Sequence, residues 1–176
     1  MVKGLDRALS RGNQATKGIV RQDLVINKSF DITGVADTVD AATAVIGGFP
    51  EGNILFLGAV AYISVDATGD THVIDNWAGD YGIGTVPNAD VDLGDAGDDD
   101  IVPSTALAAG VSDKIAPSTR GISTQTEHGL ILDNTDGSLE LNLNLLIDDN
   151  VITDTEDGTF DVTGMLHLSY VVLGND

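Results

Sequence analysis

The chain reads as all-β: an antiparallel β-sandwich or jelly roll behind an extended, basic N-terminal arm. Three observations predict this. Apolar residues recur at a period of two along much of the 176 residues, the signature of half-buried strands. Turn signals separate these runs at intervals of about 8–15 residues, as in sandwiches and barrels. The carboxylates are 24 Asp and only four Glu, beside 21 Gly. Asp competes with the helix backbone and favours caps and turns, so this mix makes few helices. There is no long amphipathic helix and no repeat of fixed length.

Residues 1–20 carry Gly4, Gly12 and Gly18, scattered charges and no sustained period. They read as a flexible arm, leaving residues 21–176 as one sandwich domain. From Asp23 the pattern changes: Leu24, Ile26, Phe30 and Ile32 share one parity, interrupted once by Lys28. Asp37–Gly48 fits either a short helix or a loop followed by a strand at Ala44–Ile46. Gly47–Gly52 is a turn. Asn53–Asp66 is so apolar that it reads as a strand buried on both faces, with Leu55, Leu57, Ile63 and Val65 opposite Ile54, Phe56, Val60 and Tyr62. Ala67–Asp70 reads as a hairpin loop, with His72–Trp77 returning beside it.

The stretch from about residue 86 to 129 is looser and acidic, following a short strand within Gly79–Thr85. A long insertion in a compact domain is usually functional or lies against a partner. Asp133–Gly137 is a turn. Leu139, Leu141, Leu143 and Leu145 then alternate with Glu140, Asn142 and Asn144. Val151–Thr153 fits a short strand and Glu156–Gly158 another turn. Last, Phe160, Val162, Leu166, Leu168, Tyr170 and Val172 share one parity against Asp161, Thr163, His167 and Ser169.

Charge is divided unevenly. Six of the eight cations, Lys3, Arg7, Arg11, Lys17, Arg21 and Lys28, fall in the first 28 residues, opposed only by Asp6 and Asp23. The rest of the chain holds Lys114 and Arg120 against 26 carboxylates, giving the total of −20. Such asymmetry concerns partners rather than fold. Lys3, Arg7, Arg11, Lys17 and Arg21 are the candidate docking residues. Nucleic acid is a poor partner, because the acidic body would be repelled by the phosphates and the arm has no aromatics for stacking. An acidic protein surface fits better. The sequence predicts no membrane partner: no stretch approaches the ~20 apolar residues of a spanning helix. The N-terminus has no secretory pattern, so the expectation is a soluble product made without export.

Catalytic signals are weak. With no cysteine, disulfides, thiolate metal sites and cysteine nucleophiles are excluded. His72, His128 and His167 have no ligand spacing. There is no serine elbow, and Gly82-Ile83-Gly84 is not a dinucleotide fingerprint. The cluster Asp90, Asp92, Asp95, Asp98, Asp99 and Asp100 offers oxygens of the kind calcium takes, but its spacing is not that of a calcium-binding helix–loop–helix. The expectation is no enzyme, no metal and no cofactor.

The segments Trp77–Thr85 (WAGDYGIGT), Ile101–Thr105 (IVPST), Leu132–Gly137 (LDNTDG), Leu141–Asp149 (LNLNLLIDD) and Gly164–Gly174 resemble small structural proteins of tailed bacteriophages. They are most similar to capsid cement or decoration proteins, over roughly residues 75–176. The resemblance implies a β-rich, usually trimeric domain on the outside of an icosahedral shell, made in the host cytoplasm. It would reinforce the major capsid protein lattice of the same virus and reach neighbouring subunits by a terminal arm. The alternative is a lectin-like or receptor-binding sandwich on a fibre or capsid, using the loops around Asp90–Asp100 and Trp77 and Tyr81 for sugar stacking.

Overall fold

A computed structural model describes residues 18–33, 40–69, 77–89, 92–94, 97–107, 113–115, 119–121, 130–147 and 157–174. They form strands β1 (Val20–Thr33), β2 (Asp40–Gly48), β3 (Asn53–Gly69), β4 (Gly79–Gly84) and β5 (Val102–Leu107). Then follow β6 (Asp113–Ile115), β7 (Thr119–Gly121), β8 (Leu130–Leu132), β9 (Glu140–Ile147) and β10 (Asp157–Gly174). All pairings are antiparallel, and the strands make two sheets. The first runs β1-β10-β3, with β6, β7 and β8 pairing in turn along the far edge of β3; the second runs β2-β9-β4-β5. The expected antiparallel sandwich is the observed fold.

The period-two pattern explains the core. On β1 the buried side chains are Ile26, Phe30 and Ile32, and on β10 they are Phe160, Val162, Leu166, Leu168 and Tyr170. The second sheet contributes Tyr81, Ile83, Leu141, Leu143, Leu145 and Ile147. Two edge-to-face aromatic pairs join the packing, Trp77 with Phe160 and Phe49 with Tyr170, each with centroids 5.2 Å apart. Such contacts add to area burial because the positive edge of one ring meets the negative face of the other. Lys28 breaks the pattern on β1, an edge strand. A charge at an inward-parity position is one way to deter pairing along an edge.

Several elements depart from expectation. Asp40–Gly48 is one continuous strand, paired with β9 from Asp40 opposite Ile147 to Gly48 opposite Glu140. Its run of Ala, Thr and Val lacks a clear period, which is why helix and strand both fitted. Ala67–Gly69 continues β3 rather than turning, and Asp157–Gly158 begins β10. The two strands stay paired to Gly69 opposite Gly158. Long-range pairing overrides the local turn propensity of Gly and Asp.

The largest correction concerns β3, which is buried on one face only. Its register against β10 slips between Phe56 and Gly58, leaving Leu57 as an extra residue. Such a bulge reverses the parity of everything after it. Ile54 and Phe56 point inward before it; Ala59, Ala61, Ile63, Val65 and Ala67 do so after it. Leu57, Val60 and Tyr62 therefore lie on the outer face, with Leu57 and Tyr62 exposed. The expected return strand His72–Trp77 lies outside the described residues except for Trp77, and Val151–Thr153 lies wholly outside them.

Candidate docking surfaces

The edge strand β1 emerges from residues 18 and 19 at Val20, directly opposite Tyr170. Ile19, Val20 and Arg21 are exposed there. Of the five candidate arm cations, Arg21 is described, opposite Ser169 on the outer face; Lys3, Arg7, Arg11 and Lys17 lie outside the described residues. Two rows along, Asp23 faces His167, with Oδ1 and Nδ1 2.7 Å apart. The imidazole packs edge-on to Tyr62, centroids 5.8 Å apart. Both members of the Asp23–His167 pair are well exposed, so the contact orients side chains more than it stabilises the fold. On the inner side Tyr170 Oη donates to Gln22 Oε1 at 3.0 Å, and burial pushes the phenol's pKa up.

Part of the outer face of the second sheet, over β4 and β9, is covered by its own chain. The described residues between Val86 and Asp100 lie across β4 and β9, anchored by Asn144, which is fully buried. Its Nδ2 donates to the carbonyl oxygens of Asp98 (2.7 Å) and Val86 (3.1 Å). Its Oδ1 accepts from Thr43 Oγ1 (2.7 Å) and the backbone N–H of Asn88 (3.0 Å). All four hydrogen-bonding positions of the amide are used. Gly82 and Gly84 belong to the same device: a Cβ at Gly84 would run into the backbone at Gly97 and Asp98, and one at Gly82 would press on Asp99. The glycines let the crossing segment lie flat on the sheet.

The acidic stretch is therefore an ordered cover where it is described, rather than a merely solvated loop. Asp100 accepts from the Thr85 N–H and the Thr85 hydroxyl, both at 2.9 Å. Burial raises its pKa, against the lowering effect of those two bonds. Asp99 Oδ2 accepts from the Ser104 N–H at 3.0 Å, and Asp98 Oδ2 from the Gly94 N–H at 3.3 Å. These three carboxylates cap different backbone donors instead of converging. Asp90 and Asp95 lie outside the described residues, and no cluster of three metal-ligating side chains occurs among the described ones.

The turn before β9 is built the same way. Asn134 is fully buried and donates through Nδ2 to Phe49 O (3.1 Å) and Pro50 O (2.8 Å). Its Oδ1 accepts from the Leu139 N–H at 2.7 Å. Asp133 and Asp136 close Asx turns onto Thr135 and Ser138, and these hydrogen bonds hold both carboxyls below the ordinary range. Gly137 takes the left-handed conformation the turn requires, φ 72°. Trp77 and Tyr81 are fully buried, so neither offers a face on which a sugar could stack. At the far end of the first sheet, Asp31, Ile32, Gly69, Asp157, Gly158 and Thr159 line an open cleft of about 300 Å³. There Asp31 Oδ1 accepts from Thr159 Oγ1 at 2.8 Å.

No family model matches the chain, and no curated protein matches it. Two similar solved structures are of infectious bursal disease virus. One, of the Gt strain, is 10% identical, covers 86% of this chain and 32% of its own, and has a TM-score of 0.42. The other, of the Gx strain, is 10% identical, covers 90% of this chain and 42% of its own, and has a TM-score of 0.25. The chain thus spans less than half the length of either. A likeness at this level leaves the functional argument to the geometry.

Sequence reasoning identified Arg21 and the acidic stretch but missed Asn134 and Asn144, whose side chains hold the surface segments in place. The signal available was an Asn on the outer parity of a Leu-rich strand. An amide there is either solvated or the fastening of a covering segment, and the uncharged run Leu141–Ile147 favours the second.

Proposed function

We propose that the chain is a virion structural protein, a cement or decoration protein that binds the outside of a capsid as a homotrimer. The observation that carries this reading is where the basic segment joins the sandwich. Arg21 is exposed at the start of an edge strand, so the arm leaves the body at its rim. In this reading Lys3, Arg7, Arg11, Lys17 and Arg21 bind an acidic neighbour, the major capsid protein, while the acidic body faces solvent. The body suits a passive platform: its buried amides are spent on holding segments against the sheets. Each copy brings one arm, so three modest contacts combine into tight attachment. Binding only the assembled lattice then stabilises that lattice by mass action.

The test combines native mass with a protein inventory of purified particles. The reading expects a trimer of the 18.2 kDa chain, present in fixed ratio to the major shell protein. A monomer absent from the particles would sink it.

A further inference from the structure

We infer that the apolar half of the first sheet's outer face is the surface through which copies of this chain meet. The inference rests on the self-association in the reading above and assigns it a place. Register puts Val25, Met165 and Tyr62 in one row across β1, β10 and β3. Val25 is 74% exposed, Tyr62 52% and Met165 37%. Toward the β8 end a second row joins Val171, Leu55 and Ile131, with Ile131 62% exposed. Leu57, displaced outward by the bulge, lies between the rows. On one face of a sheet, so much contiguous exposed apolar surface marks an interaction site.

Charge and area select a second copy as the occupant. The apolar half carries Arg21 at the β1 rim where the arm begins, Asp23 with the imidazole of His167, and Arg120 of β7 in register with Val60, beside the Tyr62 and Tyr170 phenols and the inward-parity Lys28. The other half of the same face carries Asp31, Asp66, Asp157 and Asp161. Copies with a net charge of −20 repel one another, and they approach at least cost where neither brings excess negative charge. A partner chosen by charge would be met by the basic arm; an apolar face low in charge can be shared by copies arranged about a symmetry axis. Strand spacing and rise give the patch on β1, β10 and β3, three strands by about eight residues, roughly 400 Å² in projection, and β8 extends it at Ile131. Side-chain relief raises that toward the roughly 800 Å² a stable interface takes from each partner.

The experiment is sedimentation and native mass of the full chain against the double variant Val25→Asp/Met165→Glu, with Ile131→Lys as a second, independent variant. Val45→Asp, at an exposed apolar position on β2, is the control. Circular dichroism checks that each folds. The wild type and the control should run as the oligomer, and both face variants as the folded 18.2 kDa chain. Should the folded variants keep the wild-type mass, the face is wrong and self-association stands. If the wild type itself runs at 18.2 kDa at every concentration, self-association fails and this assignment with it. A monomeric wild type whose double variant no longer binds purified particles would give the face to the shell, again overturning a second copy as occupant.

Discussion

Replacing Asn144 with Leu tests how the acidic segment is held. The two side chains are close in shape, so the change deletes hydrogen bonds with little cavity. Four bonds are lost: from Nδ2 to Asp98 O and Val86 O, and to Oδ1 from Thr43 Oγ1 and the Asn88 N–H. The Asp98 carbonyl bond is buried and the other three are partly so. A buried orphaned group costs about 1–3 kcal/mol, and an ordinary hydrogen bond contributes about 0.5–1.5 kcal/mol net. Together these give about 3–5 kcal/mol, a large share of a typical domain's 5–15 kcal/mol. Urea unfolding should show the midpoint falling with the slope unchanged. Hydrogen exchange should show the Asn88 amide losing protection before the core strands do. A loss below about 1 kcal/mol, with Asn88 still protected, would refute the claim that this amide fastens the segment.

Gly164→Ala should destabilise by about 2–3 kcal/mol, since a Cβ there runs into the Tyr62 carbonyl on the paired strand and overpacking against backbone has little relief; thermal melting checks it. Acid unfolding should reflect two opposing groups. The lowered pKa values of Asp133 and Asp136 contribute stability that is present above the ordinary 3.8 and lost as pH falls through their folded values. Asp133→Asn/Asp136→Asn should therefore flatten the acid limb of a denaturation midpoint plotted against pH. Asp100, raised by burial, has the reverse sign: its contribution is present below 3.8 and lost as pH rises through its folded value. Asp100→Asn should remove that decline.

The two-sheet architecture was legible because β1, β9 and β10 keep strict alternation over long runs, and burial selects one parity. Two things hid the rest. At β3 a single extra residue, Leu57, reverses the inward parity, so a uniformly apolar run looked buried on both faces although one is a surface. At Asp40–Gly48 small residues carry no period, and only pairing with β9 makes the strand. The acidic stretch looked like solvated loop because its carboxylates outnumber its apolar residues. Its order comes from Asn144, 46 to 58 residues away in sequence, and from Gly82 and Gly84 on the strand beneath it. Arg21 was legible as a docking candidate through charge alone; its place at the rim was not.

The central claim, that a basic arm fastens an acidic sandwich to a shell, is tested most directly by neutralising the arm in the full chain. Lys3→Gln/Arg7→Gln/Arg11→Gln/Lys17→Gln would be compared with the wild type for co-sedimentation with purified particles at rising salt. The wild type should bind in fixed ratio and weaken as salt screens the contacts, while the variant, folded to the same spectrum, should stay in the supernatant. Equal binding by both, independent of salt, would contradict the account.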